Sequence, residues 1–163
     1  MTVKRFIFRA WVRFLEGLLM LAPWRHDALW HKLMSEPTEE GELDVVVIAF
    51  NNPFVIEQQI HFMRKNMAAP YKYIVVDNSS DKGQRGKIRD VCTRYGVDYV
   101  SMPPNRLSLV GFSYSHAGSL NWAYRKIIRR RHPAFFGFLD HDLFPIKGVD
   151  IRARLKGNPF TAC

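Results

Sequence analysis

The sequence predicts an α/β protein: an open, mostly parallel sheet with flanking helices, a Rossmann-like half, preceded by an N-terminal amphipathic helix. Three observations lead there. The runs LDVVVIAF (43–50), YKYIVVD (71–77) and FFGFLD (135–140) are apolar nearly throughout, as strands buried on both faces are, whereas a sheet with one wet face alternates. Segments of helical length separate these runs, giving the strand–helix alternation of parallel sheets with right-handed crossovers. The first segment, in contrast, gathers most of its charge into one narrow stripe of a helical projection.

That segment, VKRFIFRAWVRFLEGLLMLA (3–22), reads as a helix. At about 100° per residue, Arg5, Arg9, Arg13 and Glu16 fall within a stripe roughly 80° wide. Two environments suit so narrow a polar stripe. One is a membrane interface, with the arginines at the headgroups and Phe6, Trp11, Phe14 and Leu18 among acyl chains. The other is packing against more protein or a partner subunit. Trp11, Trp24 and Trp30, side chains that favour interfaces, tip the reading towards peripheral membrane contact. The acidic stretch SEPTEEGE (35–42) reads as a linker between a helical segment, 1–34, and an α/β domain, 43–163.

Within the domain, Asn51-Asn52-Pro53 opens a helix to about Asn66, with Pro53 near its first turn. The second strand ends in turn residues, Asn78 to Asp81. A basic helix follows over about 84–95, stopped by Gly96, then a short strand, VDYVSM (97–102). Pro103-Pro104-Asn105 makes a loop, and a longer helix over about 113–131 leads to the last strand.

The chain of 163 residues supports one domain with a true core, and 47% hydrophobic with 24% charged residues is an ordinary globular balance. A net charge of +9 favours anionic partners: nucleic acid, an acidic membrane surface or phosphorylated substrates. Cys92 and Cys163 form neither a disulfide framework nor a CxxC pair, which suits a reducing, cytoplasmic setting. No uncharged apolar run reaches the roughly 18 residues of a spanning helix, and no secretory cleavage site follows the first helix. The expectation is a cytoplasmic protein, peripheral at the inner face of the membrane.

In open α/β sheets ligands bind beyond the carboxyl ends of the strands. Those ends are Phe50-Asn51, Asp77-Asn78 and Asp140-His141-Asp142. Asp140 and Asp142 stand at i and i+2, and if the chain stays extended both carboxylates face one side while His141 turns away. Two hard oxygen donors there suit Mg²⁺ or Mn²⁺, which also bind phosphate oxygens. Asp77 either accepts hydrogen bonds from a nucleoside or caps the turn that follows it. The run from Ser113 to Asn121 carries small and hydroxyl residues at a helix start, where a phosphate can approach, or where Ser113 or Ser115 serves as a cap. His116 is the one imidazole in that run. Lys82 to Lys87 lacks P-loop spacing and reads as a solvated helix start. Arg129, Arg130 and Arg131 form a charge run at a helix C-terminus, and His26 and His31 have no zinc-ligand spacing.

Taken in order, these features resemble the family 2 glycosyltransferases. Ile48-Ala49-Phe50-Asn51 is similar to the family's first strand end, and Val75-Val76-Asp77-Asn78-Ser79-Ser80 to its second. Gly118 and Asn121 are similar to its spaced helix residues, and Phe138-Leu139-Asp140-His141-Asp142 to its "FLDxD". The resemblance covers about 43–150. It implies a GT-A fold, a nucleotide-sugar donor and Mn²⁺ or Mg²⁺. It also implies that Ala49, Phe50 and Asp77 hold the nucleoside, and that Asp140 and Asp142 serve the diphosphate and metal. The candidate donor-site set is Ala49, Phe50, Asn51, Asp77, Ser115, His116, Gly118, Asn121 and Asp140, with Asp140 and Asp142 as metal ligands. The nearest relatives in character build cell-surface polysaccharide or glycolipid, with a saccharide or lipid-linked acceptor. The family places its catalytic base in an acceptor half after the metal motif. The domain therefore reads as truncated, no catalytic base is assigned, and the chain is expected to bind donor without transferring sugar.

Two other classes compete. A haloacid-dehalogenase-like phosphatase also ends a strand in D-x-D, but on its first strand and with Thr or Val where Phe144 stands. A basic membrane- or nucleic-acid-binding module explains the charge, yet the aromatics sit in strands and helices and do not interleave with basic residues, so no nucleic-acid partner is expected.

Overall fold

The computed structural model describes residues 3–24, 27–39 and 42–155. Its elements are α1 (Val3–Leu21), α2 (Ala28–Ser35), β1 (Leu43–Ala49), α3 (Pro53–Asn66), β2 (Tyr71–Asp77), α4 (Lys82–Arg94), β3 (Asp98–Ser101), α5 (Phe112–Ala123), β4 (Phe135–Asp140) and α6 (Ile151–Leu155). A 3₁₀ turn at Arg106–Leu109 precedes α5. A π-helical turn at Tyr124–Ile128 and a last α-helical turn at Arg129–Arg131 prolong it.

The four strands form one parallel sheet in the order β3-β2-β1-β4, the open α/β architecture expected from the strand runs. All seven residues of β1 are buried, which accounts for its unbroken apolar sequence. Side chains alternate between two cores. Val46, Ile48, Ile74 and Val76 meet Trp122, Ile127 and Ile128 of the α5 helix. Val45, Val47 and Val75 meet Ile56, Ile60 and Met63 of α3 and Ile88 and Val91 of α4. β4, at the sheet edge, is only partly covered, and Phe136 packs on Tyr124 with ring centroids 5.8 Å apart.

Local chemistry sets the helix starts. Asn52 caps α3 by accepting from Val55 N–H at 3.2 Å, with Pro53 in the first turn. Asp81 caps α4 by accepting from Gln84 N–H at 2.7 Å. Gly96, at φ +61°, takes the left-handed conformation just past the end of α4 that glycine adopts without strain.

α1 and α2 share the α5-side core. Leu15, Leu19, Trp30 and Leu33 are buried in it, so α1 realises part of the packed alternative, while its opposite face stays exposed. Arg131 ties this region to the sheet. It makes a bidentate pair with Asp44 of β1 (2.8 and 3.3 Å) and donates to the carbonyls of Leu33 and Glu36 and to Thr38 Oγ1. The sequence reads Arg131 as one of three charges favoured at a helix C-terminus. The structure buries it with Asp44, a partner 87 residues away that local pattern cannot reveal.

Candidate functional site

From β1 the chain steps one way to β2 and β3, then returns to the other side of β1 to lay down β4. Helices α3 and α4 cover one face and α5 the other. The β1–β2 connection thus covers one face and the β3–β4 connection the other, so the strand order reverses beside β1, and open α/β sheets bind ligands at such a switch point.

On the β1–β2 side the polar groups are matched to one another. The Ala49 carbonyl accepts from Asn78 N–H at 2.9 Å. Asn51 sits at φ +50°, a conformation Asn tolerates better than most residues. Its N–H donates to Ser79 Oγ (2.8 Å), its side-chain amide to Ser80 Oγ (3.0 Å), and its Oδ1 accepts from Asp81 N–H (3.1 Å). Asp77 is fully buried. One carboxylate oxygen accepts from Ser79 N–H and the other from the Tyr99 hydroxyl, both at 2.8 Å. The turn-capping role of Asp77 is thus present in the fold. Burial, with Asp77 beside it, raises the Tyr99 phenol well above its usual value, so it stays a donor. Phe50 is half-buried and meets exposed Phe112 edge-on, centroids 6.3 Å apart.

The β4 side is open. Asp140 ends the strand and its carboxylate is 58% exposed, with Oδ1 3.2 Å from His116 Nε2. The chain then leaves the extended conformation: Leu143 N–H donates to the Asp140 carbonyl at 3.0 Å, so His141 and Asp142 form the centre of a tight turn. The expected pleat alternation, with both carboxylates on one side of a continuing strand, does not occur. Asp142 is instead exposed in that turn. Among the described residues no group of three or more His, Cys, Asp or Glu side chains forms a ready-made metal cage. Exposed carboxylates in an all-oxygen pair nonetheless fit Mg²⁺ or Mn²⁺, which bind through one or two carboxylates and take their remaining ligands from water and phosphate.

α5 starts at Phe112, one residue before the expected Ser113, because Gly111 at φ +136° takes the capping position. Gly111 has no side chain to donate a cap, so the positive end of the helix is left unmasked. Ser115, expected as a possible cap, is buried and accepts from Asn78 and Asn105, each at 3.2 Å. His116, in the same turn, projects to Asp140. Gly118 and Asn121 are turned towards α1. A Cβ on Gly118 would stand 2.2 Å from Leu107 Cδ1, and Asn121 donates to Glu16 while accepting from Arg125 at 3.1 Å. The structure thus groups Asn51, Ser115, His116, Asp140 and Asp142 around the strand ends, with Ala49 and Asp77 beneath, and sets Gly118 and Asn121 at the α1 contact.

Three supporting residues escape the sequence reading. Gln59 is fully buried; its amide donates to the carbonyls of Asp140 (2.7 Å) and Leu143 (2.6 Å), while Tyr73 donates to its Oε1. It clamps the turn that carries Asp142. Its signal was a lone polar residue in the apolar row Ile56, Ile60, Met63 of α3. Arg85 donates to Ser101 Oγ (2.9 Å) and to the carbonyls of Ser79 and Met102, fixing the loop that holds Asn51. It lies within the basic stretch read as a solvated helix start. Asn105 donates to Ser115 and Ser119 and accepts from Leu107 N–H, setting the first turn of α5.

Elsewhere, Cys92 is buried and its thiol is pushed up to about 12 by desolvation and then by Asp77, which leaves it unreactive. A cavity of about 190 Å³ lined by Ile60, Met63, Arg64, Tyr71 and Gly96 lies at the opposite end of the sheet. The switch-point geometry and the exposed carboxylates make the carboxyl end the better candidate.

No protein-family model matches the chain, and no curated protein matches it. Among solved structures, the chain is similar to a mannosyltransferase from Pyrobaculum calidifontis in complex with GDP-Man and Mn²⁺, at TM-score 0.45 and 18% identity. The likeness covers 84% of this chain and 38% of that one, so the chain spans well under half the length of that protein.

Proposed function

We propose that the chain is the donor-binding part of a glycosyltransferase, taking a nucleotide sugar at the switch point for transfer to a saccharide or lipid-linked acceptor. The observation that carries this is the exposed pair Asp140 and Asp142, held at the carboxyl end of a parallel strand by the Gln59 clamp. The order of sequence motifs supports the same reading. Asp140 and Asp142 would hold Mn²⁺ or Mg²⁺, which neutralises the charge of a departing diphosphate.

The chain's own residues supply the rest. The unmasked N-terminus of α5 favours an anion, and His116 orients Asp140 and presents its ring to the same space. Ala49, Phe50 and the Asn51–Asp77 framework form the wall against which the nucleoside rests. Asp150 caps α6, its carboxylate accepting from Ala153 N–H at 3.0 Å.

The test is calorimetric titration of UDP- and GDP-sugars with Mn²⁺ and with chelator, alongside single-stranded RNA at moderate salt. Donor binding that requires metal and is lost in Asp142→Asn is expected. Equal affinity in metal and chelator, or tighter binding of RNA, overturns the reading.

A further inference from the structure

We infer that α1 is a second binding surface, which seats the protein on an anionic bilayer near the candidate site. α1 sends only a narrow strip inward, Leu15 and Leu19, with Val12 and Met20 beside them. At about 100° per residue, the face pointing away carries Phe6, Ile7, Trp11, Phe14, Leu18 and Leu21, all exposed, Phe6 and Ile7 by more than 60%. An apolar face of this extent on a surface helix marks an interaction site. Arg5, Arg9 and Arg13 line one edge of it and Lys4 the other, in the same projection.

The charge pattern selects the occupant. A second copy laid against this face would bring two arginine rows together on a chain that already carries +9, whereas anionic phosphates complement them. Long basic side chains at the edges and aromatic rings on the face are how a helix rests at the headgroup boundary. No helix among the described residues is long and apolar enough to cross a membrane, so contact along the surface is the geometry that fits.

The contacts of α1 also place it near the candidate site. Phe8 meets Tyr114 edge-on at 5.6 Å, and Glu16 accepts from Asn121. α1 therefore lies against α5, with Phe8 at the N-terminal turn of α5 that carries Ser115 and His116. Leu109 and Phe112 are 77% and 78% exposed there as well. A bilayer under α1 would lie beside the candidate site. Docking itself does not depend on the nucleotide-sugar reading.

Vesicle sedimentation of the full chain tests this. Deleting α1 would strip Leu15 and Leu19 from the core, so point changes on the outer face are used, with circular dichroism to check folding. Vesicles of roughly three parts phosphatidylcholine to one part phosphatidylglycerol should bind the protein at least about tenfold more tightly than phosphatidylcholine alone, and raised salt should weaken that binding. The double variant Phe6→Glu/Phe14→Glu should lose about tenfold or more, since each ring forfeits its transfer into lipid; Arg5→Ala/Arg13→Ala should lose chiefly the preference for anionic vesicles. Three outcomes overturn the inference: a parent that stays in the supernatant, a Phe6→Glu/Phe14→Glu variant that binds like the parent, or a parent dimer in solution that this variant dissolves while neither binds vesicles.

Discussion

Asp77 and Asp142 stand at the same end of the sheet and differ in almost everything else. Asp77 is buried, and each of its oxygens accepts a hydrogen bond from within the fold. Asp142 is exposed at the centre of a turn whose backbone is held from behind by Gln59. A buried carboxylate must be matched or it costs several kcal/mol, so Asp77 belongs to the framework whatever else it touches. An exposed carboxylate on a clamped turn has oxygens to offer a ligand and little to contribute to stability. The same contrast separates Asp44, locked to Arg131, from Asp140, whose polar side-chain partner among the described residues is His116 at the surface. Stability and binding should therefore respond to different aspartates.

The largest effect is expected where a buried pair is broken. Arg131→Ala leaves the Asp44 carboxylate buried and alone, and also releases Leu33, Glu36 and Thr38. A loss of about 3–5 kcal/mol is expected, read by urea denaturation. A loss under about 1 kcal/mol would show that the pair is open to water and that the division of aspartates fails at its buried end.

Next comes Asp77→Ala. It leaves the Tyr99 hydroxyl and Ser79 N–H, both buried donors, without acceptors. At about 1–3 kcal/mol for each unsatisfied group, a total near 2–4 kcal/mol is expected. Donor binding, measured below the unfolding temperature, should weaken without change in its metal dependence. A variant as stable as the parent would make Asp77 a ligand contact rather than framework.

Gln59→Leu sharpens the comparison because Gln59 joins the two kinds of site. The change strips a partner from the Tyr73 hydroxyl and from the Leu143 carbonyl, so about 1–3 kcal/mol of stability should be lost. It also frees the Asp142 turn, so metal-dependent binding should fall as well. Loss of stability with binding untouched would separate the turn from the site.

How far these roles could be read in the sequence follows from the range of the interactions. β1 and β2 were legible because burial on both faces writes a continuous apolar run, as in LDVVVIA, whereas β4 carries a similar run, FFGFLD, at the largely exposed sheet edge. Asp140 and Asp142 stood out because they follow such a run. Their geometry did not, because the pleat was extended one step too far: nothing local distinguishes a strand that continues through His141 from one that turns there, and the deciding bonds come from Gln59, some 81 residues earlier. Arg131 and Arg85 looked like surface charge for the same reason. Their acceptors lie on other elements, and a run of basic residues carries no mark of which one is buried. Gly118 suggested close approach by a ligand, whereas what approaches it in the fold is Leu107.

The smallest effect on stability, under about 0.5 kcal/mol as for other exposed positions, is expected for Asp142→Asn, and it is the most informative. The side chain is exposed, the turn is held through the backbones of Asp140 and Leu143, and Asn fits a turn as readily as Asp. Thermal unfolding without metal should therefore superimpose on that of the parent. With Mn²⁺ and a nucleoside diphosphate the parent should gain stability by mass action, about 2.7 kcal/mol at a hundredfold excess over Kd, while the variant gains little, because an amide is a poorer donor than a carboxylate to a hard cation. Should the variant match the parent in both conditions, Asp142 is a solvated turn residue and the metal site must be sought without it. Should it lose stability without ligand, the turn depends on the carboxylate, and the exposed aspartates are framework too.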